Sequence, residues 1–134
     1  MEGQKVRQMI EVINIKDCVS GWKNNPEYIY CGRRGKGFAG DLGNPFPMHQ
    51  EQQRDSCIAK HKNWLWNNWE KSTKIRTAIM SIINREKKGE MTYLVCFCAP
   101  KKCHADNIKE LVLQLSMQNL DSTIESFDVF SLKI

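Results

Sequence analysis

Residues 92–106 read Thr-Tyr-Leu-Val-Cys-Phe-Cys-Ala-Pro-Lys-Lys-Cys-His-Ala-Asp, and this stretch decides the fold. Its first seven residues are apolar or β-branched, which predicts a buried strand over residues 92–98. A short basic turn follows, and the pattern after it predicts a helix from about His104 to Gln118. An apolar strand of this kind is typical of the centre of a sheet with parallel pairing, where both faces of the strand are covered.

Periodicity predicts the other elements of the chain. Alternation of β-branched residues predicts three more strands, at residues 7–15, 27–33 and 123–134. Three-and-four spacing predicts two more helices, one over residues 50–71 and one from a cap at Ser72 or Thr73 to Arg85. Together these elements predict one α/β domain over residues 1–134, a compact Rossmann-like sandwich with a central, at least partly parallel sheet.

The composition is that of an ordinary soluble domain. A chain of 134 residues suits one domain, and 41% hydrophobic with 26% charged residues fits that class. No apolar run approaches the length of a membrane span, and the N-terminus lacks the apolar core of a signal peptide. We therefore expect a cytoplasmic protein with no membrane partner. The net charge of +5 is too mild to indicate general nucleic-acid binding.

A long loop is predicted between the second strand and the first helix. Residues 34–47 carry four glycines and two prolines without periodicity, and loops of this length in compact domains are commonly functional. This loop and the turn after Cys98 both leave strands at their carboxyl ends, where open α/β sheets bind ligands. We therefore expect the two segments to form one site.

The residue types of these segments predict an anion, most simply a phosphate. The backbone N–H groups after Pro100 open a helix, and Lys101 and Lys102 stand beside them. Arg33 can offer a planar fork to a phosphate. The candidate ligand-binding residues are Gly32, Arg33, Gly43, Asn44, Phe46, Arg54, Lys101, Lys102, Cys103, His104 and Asp106.

The inward face of the helix predicted over residues 50–71 is apolar except at Arg54, His61 and Asn68. Arg54 either binds the ligand or pairs with Asp41 or Asp106, because a charged side chain rarely faces a core alone. His61 is favoured as a hydrogen-bonded core residue over a catalyst.

Three tryptophans follow on the same helix. Trp64 belongs to the inward stripe, whereas Trp66 and Trp69 lie off it. Contact with the core or with a second copy in a homo-oligomer is favoured over stacking on nucleic-acid bases. A protein-binding adaptor is a further class that these rings allow.

The six cysteines do not indicate a secreted disulfide scaffold. Cys96, Cys98, Cys103 and His104 could supply four zinc ligands, but their C-x-C-x4-C-H spacing differs from the usual paired knuckles. Buried reduced cysteines with a ligand-facing His104 are favoured over zinc and over a reactive thiol. We expect no metal and no cofactor.

Four pieces of the chain carry a resemblance. They are Tyr30-Cys31-Gly32-Arg33, Gly43-Asn44-Pro45-Phe46, Arg54 with Trp64-Leu65, and the Cys96–Asp106 stretch. Over about residues 28–115 they resemble a small family from phages and bacteria, filed as a domain of unknown function with GNPF and CHGD-like motifs. The resemblance implies a Rossmann-like fold and a viral or bacterial source, hence the cytoplasm of a bacterial host if viral. His61 departs from the family pattern, which has an aromatic there. Ala105 replaces a glycine, which would stiffen the turn.

The leading hypothesis is that the chain binds a phosphorylated small molecule, such as a nucleotide or an ADP-ribose-like signal. As a phage protein it would sequester a host nucleotide signal in counter-defence. Its phosphate would meet Arg33 and the amides after Pro100, and its base or sugar would meet Asn44, Phe46 and His104. The alternative is an enzyme acting on nucleotides or nucleosides, a glycosidic-bond transferase or hydrolase. Whether the chain is an enzyme stays open, because no spacing specifies a mechanism among its candidate groups, Asp41, Cys103, His104 and Asp106.

Overall fold

Three parallel strands form the sheet in the described part of the chain, in the spatial order β1-β3-β2. The computed structural model describes residues 9–33, 40–46 and 48–122, without the side chains of 118–122. Its strands are β1 (Ile10–Asn14), β2 (Tyr28–Tyr30) and β3 (Thr92–Cys96), and its helices are α1 (Arg54–Asn68), α2 (Thr73–Lys87) and α3 (Ala105–Ser122). Because all three strands run in one direction, their carboxyl ends meet at one edge of the sheet.

The central strand is β3, as its apolar sequence predicts. Its neighbouring residues Leu94 and Val95 point to opposite faces of the sheet, and both are 0% exposed. Both faces are therefore covered at this position. The α/β class with a parallel sheet is confirmed, and the Rossmann-like description is consistent with this arrangement.

The strands are shorter than the sequence predicts. β3 ends at Cys96 because the side chain of Asn14, at the end of β1, donates hydrogen bonds to the carbonyl oxygens of Phe97 (3.2 Å) and Ala99 (2.9 Å). The chain turns there and leaves the ladder. The strand predicted over residues 123–134 lies outside the described residues, as do residues 7 and 8 of the first predicted strand.

Helix α2 follows the prediction closely. The hydroxyl of Ser72 accepts a hydrogen bond from the Ile75 amide at 3.3 Å, which caps the helix. The inward residues are Ile75, Ile79, Ile82 and Ile83, and each is at most 5% exposed. Burying each of these side chains contributes roughly 1.5–3 kcal/mol relative to leaving it in water.

Helix α1 begins at Arg54 and not at residue 50. A 3-10 turn, Glu51–Gln53, precedes it. The side-chain oxygen of Gln53 accepts hydrogen bonds from the backbone N–H groups of His49 (2.8 Å) and Gln50 (3.0 Å). These N–H groups therefore have partners outside the helix. This turn changes the neighbours of Arg54.

Helix α3 contacts α1, α2, β1 and β3, and so joins the helices to the sheet. Its Ile108, Leu111 and Val112 are at most 1% exposed and belong to one core cluster with β3. Trp64, Trp66 and Trp69 pack partly buried against that cluster. No helix within the described residues is long and apolar enough to cross a membrane.

Candidate functional site

A cavity of about 450 Å³ opens beyond the carboxyl ends of β2 and β3. Its walls come from the segment after β2, the start of α1 and the turn between β3 and α3. The lining residues are Tyr30, Gly32, Arg33, Asn44, Met48, Arg54, Cys57, Ile58, Phe97, Cys98, Lys102, Cys103 and His104. Arg33 and Asn44, which flank the undescribed part of the glycine-rich segment, therefore meet the turn before α3 in one place, where an open α/β sheet binds ligands.

The wall after β2 is held by Arg33. Its guanidinium donates hydrogen bonds to the carbonyl oxygens of Asn44 and Phe46, the latter at 2.7 Å. The side chain of Asn44 makes two further bonds. Its Oδ1 accepts a hydrogen bond from the backbone N–H of Phe46 at 2.8 Å, and its Nδ2 donates to the Cys57 carbonyl at 3.3 Å. Arg33 thus joins the end of β2 to the Gly-Asn-Pro-Phe segment, and Asn44 joins that segment to α1.

Gly43 permits this close packing. A Cβ atom at position 43 would lie 2.9 Å from the Cα of Arg33 and closer still to the backbone of Gly32. Contacts this short with backbone atoms cannot be relieved by a rotamer change. The predicted site residue Gly43 therefore serves backbone packing and does not line the cavity.

Arg54 enters the cavity from the first turn of α1. Its Nε and Nη2 donate to the two carboxylate oxygens of Glu51, at 2.6 and 2.9 Å, and its Nη1 donates to the Lys102 carbonyl at 2.9 Å. The hydrogen bonds to Glu51 raise the pKa of Arg54 further above its ordinary value. The sequence proposed Asp41 or Asp106 as a partner; the observed partner is Glu51, which the 3-10 turn brings beside it.

The amides at the start of α3 bind within the protein. Asp106 Oδ2 accepts from the Cys103 amide at 3.1 Å, and the Ala105 amide donates to Cys103 Sγ at 3.5 Å. The Lys101 amide donates to the Cys98 carbonyl at 2.8 Å. Asp106 is therefore a capping residue, and the expected open anion-binding turn after Pro100 is corrected to a turn whose described amides are largely used.

The lysines of this turn differ in position. Lys102 lines the cavity, and its Nζ lies 3.4 Å from Oδ1 of Asp55, with both side chains more than 70% exposed. Lys101 is exposed and does not line the cavity. Among the described residues, the cationic side chains that line the cavity are thus Arg33, Arg54 and Lys102.

Two aromatic rings stand at the rim. Tyr30 and Phe97 are arranged edge to face, with ring centroids 6.3 Å apart and planes at 85°. Phe97 is 55% exposed, which is unusual for a large apolar side chain beside a strand. The Tyr30 hydroxyl donates to the Arg33 carbonyl at 2.8 Å, so this ring is fixed to the cavity wall.

His104 lies between the cavity and the core. Its Nε2 donates to the Cys31 carbonyl, and its Nδ1 is 3.7 Å from the Cys103 sulfur. Burial lowers the pKa of His104, and the bond to Cys31 partly opposes this. Both ring nitrogens are therefore in contact with protein groups, and the imidazole is neutral at pH 7.

Cys103 also approaches Cys96 at the end of β3. The Cys103 thiol lowers the pKa of Cys96, helped by the backbone amides of Ala99 and Cys98, and the pKa of Cys103 is raised in return. Both residues are at most 2% exposed. All six cysteines are free thiols. No group of three or more His, Cys, Asp or Glu side chains in the described part of the chain is arranged to hold a metal ion.

His61 is a core residue beneath the site. It is 0% exposed, its Nδ1 accepts a hydrogen bond from the Asn107 amide at 3.0 Å, and its ring lies 5.0 Å from that of His104. The Leu42 backbone is near His61, but Nε2 makes no hydrogen bond within the described residues. Burial, with a smaller effect of His104, lowers the pKa of His61 to about 3.

Seven of the predicted site residues line the cavity: Gly32, Arg33, Asn44, Arg54, Lys102, Cys103 and His104. The other four, Gly43, Phe46, Lys101 and Asp106, lie beside it. Sequence reasoning missed Tyr30, Met48, Cys57, Ile58, Phe97 and Cys98 as lining residues. Tyr30 had a signal, because it stands two residues before Gly32 and shares its side of the strand predicted over residues 27–33. Met48 had none.

The fold and the site define a class: an α/β domain whose parallel sheet carries a cationic, aromatic-rimmed cavity at its carboxyl edge. The chain belongs to the family described as a domain of unknown function, DUF4326, whose model matches residues 13–114. Comparison with curated proteins and comparison with solved structures each gave no match.

Proposed function

We propose that the cavity binds a phosphorylated small molecule of the nucleotide or ADP-ribose class. One observation carries this proposal: a single cavity of about 450 Å³ combines three cationic side chains with two aromatic rings. Small-molecule sites commonly enclose roughly 300–1,000 Å³ and pair apolar walls with a few polar groups. A nucleotide presents the matching parts, a flat base and an anion, within one molecule.

The anion would bind between Arg54 and Lys102. Arginine has five N–H donors. Glu51 and the Lys102 carbonyl accept three bonds from Arg54, and the Cys98 sulfur also interacts with the guanidinium, so at most two donors remain for a ligand. The Lys102 side chain is 73% exposed, and its amine can turn from Asp55 to a phosphate. Hydrogen bonds between ionised groups are stronger than neutral ones, so a phosphate can compete for these side chains.

The base would stack on Phe97. Its ring is more than half exposed at the rim of the cavity, and it packs edge to face with the ring of Tyr30. Stacking of a base on an aromatic side chain contributes roughly 1–3 kcal/mol and tolerates different bases. This arrangement favours a nucleotide over a simple inorganic anion.

Binding is favoured over catalysis because the candidate catalytic groups already have partners. His104 contacts Cys31 and Cys103 through its two ring nitrogens, and Asp106 caps α3. A general acid or base must reach the proton that it transfers. The glycosidic-bond transferase or hydrolase alternative therefore has no specific observation in its favour.

A biological role extends the proposal. If the chain has a phage source, as the motif resemblance implies, it would sequester a nucleotide signal of the bacterial host. Such a protein would hold its ligand without converting it chemically. A host carrying a nucleotide-triggered defence should then lose protection when the chain is expressed, and it should keep protection when the Phe97→Ala variant is expressed.

Calorimetric titration with adenosine, AMP and ADP-ribose tests the binding proposal. AMP and ADP-ribose should bind and adenosine should bind at least about tenfold more weakly, since a charge-assisted bond contributes roughly 1.5–3 kcal/mol. Equal affinity for adenosine and AMP would remove the phosphate from the model. Mass spectrometry of the recovered ligand decides the enzyme alternative, because a converted ligand would establish catalysis.

Adjacent lysines give a matched control. Lys102→Gln should weaken AMP binding, whereas Lys101→Gln, which removes the same charge one residue away, should leave it nearly unchanged. Equal losses in both variants would show a diffuse charge effect and no site. Phe97→Ala should reduce affinity by roughly 5- to 150-fold, as expected from loss of one stacking contact.

A further inference from the structure

Three cysteine side chains line the cavity: Cys57, Cys98 and Cys103. Cys57 is 5% exposed and Cys103 is 2% exposed, so neither sulfur is open to a reagent. Cys98 is partly exposed. Among the cavity thiols it is therefore the one that a small molecule can reach.

Cys98 stands among cationic groups. Arg54 and Cys98 line the same cavity, and their interaction raises the pKa of Arg54, after the larger effect of Glu51. Lys102 and Arg33 line the same cavity. A partly exposed thiol in positive surroundings is the environment in which reactive cysteines are found.

Cys18 provides a natural comparison within the chain. It is the other partly exposed cysteine, and it lies next to Asp17 in sequence. Burial, and then the Asp17 carboxylate, raise the pKa of Cys18. The two thiols have similar exposure but neighbours of opposite charge.

We propose that Cys98 is a modification site that forms mixed disulfides with small anionic disulfides of the glutathione type. The Cys98 sulfur attacks one sulfur of the reagent, a new S–S bond forms, and the S–S bond of the reagent breaks. The released thiolate takes up the proton that Cys98 loses. The disulfide itself is the oxidant and is reduced to a thiol, so no further reactant is needed.

This inference does not rest on nucleotide binding. It requires only an accessible sulfur and positive charge in the cavity, and it extends the chemistry of the chain to a covalent adduct. The adduct would place its carboxylates beside Arg54 and Lys102. Modification and a phosphorylated ligand would then exclude each other.

Two disulfides of equal length and opposite charge test the proposal on the reduced full chain. These are 3,3′-dithiodipropionate, which carries carboxylates, and cystamine, which carries ammonium groups. Peptide mass mapping during the reaction gives the rate at each cysteine. The ratio of the anionic rate to the cationic rate should be roughly tenfold higher at Cys98 than at Cys18, from charge interactions over a few ångströms.

Variants separate the causes. Lys102→Gln and Arg54→Gln should each lower the ratio at Cys98 and leave the ratio at Cys18 unchanged, and Cys98→Ser should abolish only the adduct on that peptide. The proposal is overturned if Cys98 stays unmodified after Cys18 has reacted, or if both thiols show the same charge preference. Protection of Cys98 by AMP reports separately on the nucleotide site, so either idea can fail while the other holds.

Discussion

Acidification should destabilise this protein through His61. The imidazole is fully buried and neutral, with Asn107 donating to Nδ1, and its pKa falls from 6.5 to about 3 on folding. Two neighbouring basic groups, the titratable His104 and the cationic Arg33, have smaller effects in the same direction as burial. Because the folded pKa lies below the unfolded one, the unfolded chain binds a proton that the folded chain does not. The contribution of neutral His61 to the free energy of unfolding is therefore complete above pH 6.5, and it is lost as the pH falls from 6.5 towards 3.

The magnitude follows from the shift. Each pH unit below 6.5 costs about 1.4 kcal/mol of unfolding free energy per proton, so two units cost about 2.7 kcal/mol at pH 4.5. Urea unfolding at pH 7.5, 6.5, 5.5 and 4.5, followed by tryptophan fluorescence, measures this loss. It is a large fraction of the roughly 5–15 kcal/mol that stabilises an ordinary domain.

His61→Gln provides the decisive comparison. Its amide oxygen can accept from Asn107 but cannot titrate, so most of the pH dependence between 6.5 and 4.5 should disappear. A smaller pH dependence should remain in this variant, because folding also lowers the pKa of His104. His49→Gln removes an exposed histidine and should retain the slope of the parent. A His61→Gln protein with the full pH dependence, or a parent that gains stability in acid, would refute the assignment.

Three other substitutions test the walls of the cavity. Gly43→Ala should lower the unfolding free energy by roughly 1–3 kcal/mol, because its Cβ would lie 2.9 Å from the Cα of Arg33; unchanged stability in a urea melt would contradict this packing. Asp106→Ala should cost about 1 kcal/mol through loss of the α3 cap, while Asp55→Ala, an exposed carboxylate in the first turn of α1, should cost less in the same melt. Arg33→Lys keeps the charge but cannot span the carbonyls of Asn44 and Phe46, so calorimetry should show weaker AMP binding; full affinity would mean that the planar fork is not needed.

The apolar pattern predicted the fold well where burial alone decides it. Spacing along α2 identified Ile75, Ile79, Ile82 and Ile83 as buried, and the apolar run around Val95 identified the central strand. Each of these predictions needed only a local pattern, the helical period in α2 and a continuous apolar run in β3. Parallel pairing followed from helices between strands.

The site was less predictable because its contacts join distant parts of the chain. Phe97 stands in an apolar run and was expected in a covered strand, yet Asn14, 83 residues earlier, ends the ladder and leaves the ring exposed. Arg54 was given the wrong carboxylate because the 3-10 turn that brings Glu51 to it interrupts the helical period. A local signal did exist for Asp106, which follows the N-terminal end of α3 at the spacing of a capping box.

Ala105, which departs from the family pattern, lies inside a helix that accepts alanine. It stands where the resembling family has a glycine, and it was expected to stiffen the turn. The residue is 0% exposed and opens α3. Alanine is a good helix former, so the position accepts it inside the helix.

The Asp106 cap has a consequence for how the domain would respond to its surroundings. The fold has filled the anion-attracting end of α3 with its own carboxylate, so an incoming anion would depend on cationic side chains of the cavity, among them the exposed Lys102. Attraction by such groups is screened over about 8 Å at physiological ionic strength. Occupancy of the cavity would therefore follow the ionic strength of the medium, rising in dilute salt and falling as other anions accumulate. A bound molecule would be retained through purification in dilute buffer and washed out by concentrated chloride.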